Sequence, residues 1–213
     1  MKAAIFDMDG LLIDSEKHWI TVDHQIWKEL GLTIDDAMQK RLTGLNLKDS
    51  FALALEYKPD LSWDEMIAKY DEAAVKIYTE KTNLLPGVVN LLTKIKDGNL
   101  SCALASSSSL DWIEMVMKRF DLEKFFEIKF SSRSMNLPGK PRPDIYLAVM
   151  KEMGVEPHES IVFEDSVHGV QAGKKAGAYT VAVPNPEWNS GDYSMADLVL
   201  QSLEEFDFSI IKN

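Results

Sequence analysis

Three short apolar runs in this chain each stop abruptly on side chains capable of chemistry, and that arrangement narrows the folds open to it. Ala3-Ala4-Ile5-Phe6 leads into Asp7-Met8-Asp9-Gly10, the run at 100–105 into Ser106-Ser107-Ser108, and Ser160-Ile161-Val162-Phe163 into Glu164-Asp165-Ser166. Short, continuous apolar runs of this kind read as strands buried on both faces. A fourth covers 179–183. After the first, the runs alternate with helical patterns, which predicts parallel strands joined by helices. In such a sheet all strands end at one edge, and ligands bind in the crevice there. The polar residues behind the strands are therefore expected to share one site.

From Ser15 to about Asn83 the pattern is helical only. Trp19, Val22, Ile26, Trp27 and Leu30 fall on one face, with Gly31 as a stop. Further helices are expected over 35–42, 48–57 and 62–81. The α/β pattern resumes at Leu85-Pro86-Gly87, ahead of a helix over 88–96. The expected fold class is α/β: a Rossmann-like, doubly wound parallel sheet in residues 1–14 and 84–213, interrupted by an all-helical domain over 15–83 with hinges at its two ends.

Bulk properties exclude several function classes. No apolar stretch approaches the roughly 20 residues of a membrane helix, and the N-terminal apolar segment stops at Asp7, too short for a signal peptide. A cytoplasmic monomer is expected. With 23 basic against 34 acidic residues the net charge is −11, which repels a polyphosphate backbone, so nucleic acid is not an expected partner. A small phosphate remains compatible if the site itself is locally positive. Cys102 lies inside an apolar run and reads as core packing. The four histidines are scattered without metal-ligand spacing, and the chain lacks G-x-S-x-G, a P-loop and G-x-G-x-x-G.

Asp7 and Asp9 in D-x-D-G form either an acidic turn or a catalytic pair. Half a calcium loop is ruled out because its glycine belongs at the sixth position and Gly10 stands at the fourth. Glu164 and Asp165 at the same sheet edge tip the balance, because carboxylates crowded together repel unless a hard cation sits among them; magnesium suits such oxygen donors. Ser106 opens a run of four serines before a helix starting near Leu110, where a helix cap accounts for one of them and a phosphate-holding hydroxyl for another. Lys140 stands in Pro138-Gly139-Lys140-Pro141-Arg142-Pro143. A lysine is usually solvated, but prolines on both sides stiffen this loop and favour an ammonium aimed inward. Arg142 reads as a helix-start residue.

Asp7-Met8-Asp9-Gly10, Ser106, Gly139-Lys140-Pro141 and Glu164-Asp165 together resemble, in order and spacing, the four motifs of the haloacid dehalogenase superfamily of phosphohydrolases. The resemblance runs over essentially the whole chain. The opening stretch from Ala3 to Glu16 and Phe163-Glu164-Asp165-Ser166-Val167-His168-Gly169-Val170 are similar to the subgroup holding beta-phosphoglucomutase and the 2-deoxyglucose-6-phosphate and hexitol phosphatases. The resemblance implies that 15–83 is a cap domain and that the substrate is a small phosphorylated metabolite. It implies Asp7 as nucleophile and Asp9 as acid and base. Magnesium would lie at Asp7, the Asp9 carbonyl, Asp165 and Glu164 (direct or through water), and phosphate would be held by Ser106, Ser107 and Lys140. Trp19 and Asn46 would read the substrate. True dehalogenases lack the second aspartate, so Asp9 implies phosphoryl transfer. The mutase's cap arginine and its Lys-Asn pair are replaced by Leu47 and Ser109-Leu110, which favours a phosphatase, with a mutase as the second reading and a non-catalytic sugar-phosphate sensor as a third.

Overall fold

A computed structural model of the chain describes residues 1–35, 38, 41–42 and 47–212. Two compact units emerge: Met1–Asp14 with Asn83–Asn213, and Ser15–Thr82. The first contains a sheet of six parallel strands in the order β3-β2-β1-β4-β5-β6. They are β1 (Ala3–Phe6), β2 (Ser101–Ser106), β3 (Ile128–Ser131), β4 (Ser160–Glu164), β5 (Tyr179–Ala182) and β6 (Leu198–Val199). The central strand β1 aligns Ile5 with Ala103 of β2 and Val162 of β4.

Alternation along these central strands feeds two hydrophobic faces. Ile5, Ala103, Ala105 and Val162 pack with Ile145, Tyr146, Val149 and Met150 of one helix and Ala172 and Ala176 of another. On the opposite face Phe6 stacks on Phe163, with ring centroids 4.6 Å apart. All of these residues are at most 4% exposed, and each large one contributes about 1.5–3 kcal/mol by leaving water. The continuous apolar runs of β1, β2 and β4 thus reflect burial on both sides.

Among the described residues the α-helices with defined bounds are α1 (Glu16–Glu29), α2 (Leu47–Ala54), α3 (Trp63–Lys76), α4 (Val88–Asp97), α5 (Leu110–Arg119), α6 (Asp144–Met153) and α7 (Val167–Ala176). The first three belong to the Ser15–Thr82 unit. Ile26, Trp27 and Leu30 are buried there as the periodicity predicts. The expected helix over 62–81 changes character: α3 passes into a π turn, Ile77–Lys81, with Ile77 and Tyr78 both buried. The expected helix over 48–57 ends at Ala54, where Tyr57 and Lys58 both donate to the Ala54 carbonyl and close a turn. The expected helix over 35–42 falls largely outside the described residues. Two strands were not expected. In β3 every residue but Ser131 is only half-buried, and β6 has two residues, so neither edge strand produces an apolar run.

Among the described residues no helix is long and apolar enough to cross a membrane.

Candidate active site

The turns after β1, β2 and β4 bring the polar residues of the first unit to one sheet edge. Asp7 extends the ladder one residue beyond β1, its N–H donating to the Phe163 carbonyl at 3.1 Å. The next turn is tight: Gly10 takes φ 78° and donates to Ile13 O at 2.9 Å. Lys140, on the loop before α6, reaches into this edge. Its Nζ donates at 2.6 Å both to Asp7 Oδ1 and to Glu164 Oε1, and at 3.4 Å to the Ala105 carbonyl. The three charged side chains are 9%, 9% and 0% exposed. An ammonium so buried is held by its two carboxylates rather than by water.

Glu164 is the most enclosed member. Tyr146 OH, from α6, donates to the Oε1 that also accepts from Lys140. Glu164 Oε2 accepts from the Asp165 N–H at 3.2 Å, the Ser166 N–H at 3.4 Å and Ser166 Oγ at 3.2 Å. These five bonds take up the four lone-pair sites or so that a carboxylate offers. Space for it depends on Gly169 in the first turn of α7: a Cβ there would lie 1.9 Å from the Glu164 carboxylate carbon.

The serine run divides its work. Ser106, 1% exposed, accepts from the Ser108 N–H at 3.0 Å. Ser108 Oγ donates to Asp9 Oδ2 at 2.7 Å, and Ser131 Oγ at the end of β3 donates to the Ser108 carbonyl at 2.6 Å. Ser109 caps α5, accepting from the Trp112 N–H at 3.4 Å, while Ser107 is exposed. Asp165, 3% exposed, meets a loop beyond β5 through Asn189 and Tyr193.

Burial pushes the Asp7 carboxyl up to about 7; Lys140 pulls it back, while Glu164 and Asp9 push it further up. Burial works to strip the Lys140 proton, but Asp7 and Glu164 outweigh it and hold the ammonium well above the usual lysine range. Burial, then the Glu164 charge, holds Tyr146 well above the usual phenol range, so at neutral pH it donates. Cys102 is buried and its thiol is pushed far up by that burial, which suits packing and not nucleophilic attack.

One ligand oxygen from each of Asp7, Glu164 and Asp165 lies within 4.8 Å of the others, and all three residues are buried. A set of hard oxygen donors with one lysine as internal counter-charge fits a divalent cation.

Of the residues expected at a site, Asp7, Asp9, Ser106, Ser107, Lys140, Glu164 and Asp165 all lie in the first unit. Trp19 lies on α1 of the second, half-buried, its Nε1 donating to Tyr78 OH at 3.1 Å and its ring 5.8 Å from that of Tyr70. Asn46 lies outside the described residues. Sequence reasoning placed Ser108 at this edge without giving it a role, and missed Tyr146, Asn189 and Tyr193. For Ser108 the signal was the length of the serine run, two hydroxyls more than a cap and a phosphate ligand need; for the other three the spacing carried none.

A family model described as haloacid dehalogenase-like hydrolase matches residues 4–183. Hexitol phosphatase B of Escherichia coli K12 is 34% identical over 95% of this chain and 93% of its own length. A probable pseudouridine-5'-phosphatase of Drosophila melanogaster is 34% identical over 95% of this chain and 90% of its own. The crystal structure of a beta-phosphoglucomutase from Clostridium difficile superposes with a TM-score of 0.80 at 26% identity, covering 100% of this chain and 96% of that one. Taken with the sheet order and the acidic edge, these matches show that the chain belongs to the haloacid dehalogenase-like hydrolase family, in the company of its phosphatases.

Proposed function

We propose that this chain is a magnesium-dependent phosphatase of small phosphomonoesters, sugar or sugar-alcohol phosphates, acting through a phosphorylated Asp7. The observation that carries the reading is the buried Lys140 ammonium, 2.6 Å from both Asp7 and Glu164 at the end of the central strands. A carboxylate fixed beside an ammonium and further acidic residues suits attack on an anionic phosphoryl group, whose charge must be met by fixed positive groups.

In this mechanism an Asp7 oxygen attacks phosphorus, and the bond from phosphorus to the ester oxygen breaks. Asp9 gives its proton to the departing alcohol. Asp9 then takes a proton from the water that attacks the phosphorus of the aspartyl phosphate, returning Asp7 and releasing inorganic phosphate. Ser108, 2.7 Å from Asp9 Oδ2, suits a residue that alternates in this way: a hydroxyl donates to an ionised carboxylate and accepts from a protonated one. Ser106, the Ser107 amide and Lys140 hold the phosphoryl oxygens. Asp7, the Asp9 carbonyl and Asp165 are assigned to the cation directly. Glu164, whose oxygens are already occupied by Lys140, Tyr146 and Ser166, is assigned to it through water. Bound magnesium would add charge neutralisation and Lewis acidity at the phosphoryl oxygens. Substrate discrimination is assigned to the Ser15–Thr82 unit acting as a cap domain, with Trp19 and Asn46 as reading residues. A cytoplasmic setting fits the lone, buried Cys102.

The hexitol phosphatase relative supports the substrate class. The beta-phosphoglucomutase likeness favours a second reading, a phosphosugar mutase. Against it, Ser109 is spent on the α5 cap and Leu110 is an exposed apolar residue, so the pair that would grip a second phosphate is missing. The deciding experiment is inorganic phosphate release from hexose, deoxyhexose, hexitol and short-chain phosphates, with magnesium and then with excess chelator. Release from one class, abolished by chelator, is expected. Silence across the panel, with conversion of beta-glucose 1-phosphate to glucose 6-phosphate, would replace the phosphatase by the mutase.

A further inference from the structure

The loop between β5 and β6 sends two side chains to Asp165. Asn189 Nδ2 donates to Asp165 Oδ2 at 2.5 Å and to the Asp165 carbonyl oxygen at 3.2 Å. Tyr193 OH donates to the same carbonyl oxygen at 3.0 Å. The loop is braced from within. Asn185 Oδ1 accepts from the Glu187 N–H at 2.9 Å, and the Asn185 carbonyl accepts from the N–H groups of Trp188 at 3.2 Å and Asn189 at 2.7 Å. It is also seated against the start of α7: a Cβ on Gly191 would stand 2.5 Å from Val167 Cγ2.

We infer that Asn189 is a positioning residue for the divalent cation at Asp7 and Asp165. The inference rests on the metal-dependent reading above and deepens it. A carboxylate at the end of a short side chain rotates about a broad, soft terminal torsion. The Asn189 amide fixes that rotation at Oδ2 before any cation arrives, while Tyr193 and the second amide contact fix the backbone on which the carboxylate turns. The chemistry of the donor matters. A lysine at position 189 would pair with Asp165 and compete with the cation, whereas a neutral amide orients the carboxylate and leaves its charge for the metal. Outer partners of this kind are worth about 10- to 100-fold in metal affinity.

The test is titration calorimetry of the full chain with Mg2+ alone, in buffer free of phosphate. The variants are Asn189→Leu, which keeps the shape and removes the donor, and Asn189→Ala, which removes it with less bulk. Circular dichroism and the metal-free thermal midpoint report the fold. The expected result is a Kd for Mg2+ raised about 10- to 100-fold in a variant whose metal-free midpoint stays within a few degrees of the wild type. A folded variant with unchanged Kd overturns the inference and leaves the metal reading standing. A wild type that takes up no Mg2+ removes both. Loss of fold in both variants makes Asn189 a structural residue and overturns the positioning role.

Discussion

Burial drives Asp7 up to about 7 from an ordinary 3.8, even with the Lys140 ammonium 2.6 Å away. The sign of the consequence is fixed by linkage. A folded-state value above the unfolded one means that the folded protein holds a proton which the unfolded chain gives up, so the stability it contributes is full below about 4 and is lost as pH rises through about 7. In metal-free protein an ionised Asp7 is thus a cost to the fold, tolerated for its chemistry. Asp7→Asn should abolish turnover, because an amide is a poor nucleophile, while raising the metal-free thermal midpoint at pH 8. That advantage should shrink as pH falls from 7 towards 4. A folded variant with substantial turnover would remove Asp7 from its role, and a midpoint difference independent of pH would contradict the assigned titration. Gly169 carries an opposite sensitivity. Its missing Cβ would occupy space 1.9 Å from the Glu164 carboxylate carbon, so Gly169→Ala must displace Glu164 or the first turn of α7. The expected loss is about 1–3 kcal/mol in urea unfolding, together with most of the activity. A variant as stable and active as wild type would show that the turn yields freely.

At the scale of elements, α6 does more than cover the sheet, because one turn of it delivers Tyr146 into the charged edge. Tyr146→Phe keeps the ring, whose centroid lies 5.3 Å from Lys140 Nζ, and deletes only the donor to Glu164. With Lys140 left as the side-chain donor to Oε1, stability should drop by about 1–3 kcal/mol, as for a buried charged acceptor losing a partner. Urea unfolding measures this, and a loss below about 0.5 kcal/mol would mean that water or a shift of Lys140 replaces the phenol. The same helix shows where sequence reading succeeds and where it stops. Asp7, Ser106 and Glu164 could be placed because a buried parallel strand exposes its end, and the residue after an apolar run inherits that address. Lys140 was readable because prolines on both sides make an ordinary surface role implausible. Tyr146 sits inside an amphipathic helix, where periodicity assigns it to the core and is right; that its hydroxyl also meets Glu164 depends on packing that no spacing encodes. Asn189 and Tyr193 lie on an irregular loop with no period at all. The edge strands β3 and β6 were missed for a related reason: they lack the two-sided burial that makes a strand visible as an apolar run.

The two passes of chain that enter and leave the Ser15–Thr82 unit are joined within the first unit. Asp14 N–H donates to the Asn83 carbonyl at 3.1 Å, the Asn83 N–H donates to Asp14 Oδ1 at 2.6 Å, and the Leu85 N–H donates to the Leu12 carbonyl at 2.9 Å. Ile13 and Leu84 form an antiparallel bridge between these passes. Removing 15–82 therefore leaves two ends already side by side, and a flexible linker of about 2–5 residues, the span of an ordinary hairpin loop, can close them. Closing so short a gap costs little entropy compared with the chain removed. The sheet, its two hydrophobic faces and the charged residues of its edge, Asp7, Asp9, Lys140, Glu164 and Asp165, stay in the shortened protein, since none of them belongs to the excised stretch. The expected outcome has two parts. The shortened protein unfolds cooperatively and binds Mg2+ with a Kd within a few-fold of the full chain. Its kcat/KM values for hexitol and short-chain phosphates, by contrast, fall and converge, because the unit carrying Trp19 has gone. Preserved preference between those substrates would locate discrimination in the sheet edge itself. A shortened chain that cannot fold would show that the sheet unit depends on the helices inserted between Asp14 and Asn83.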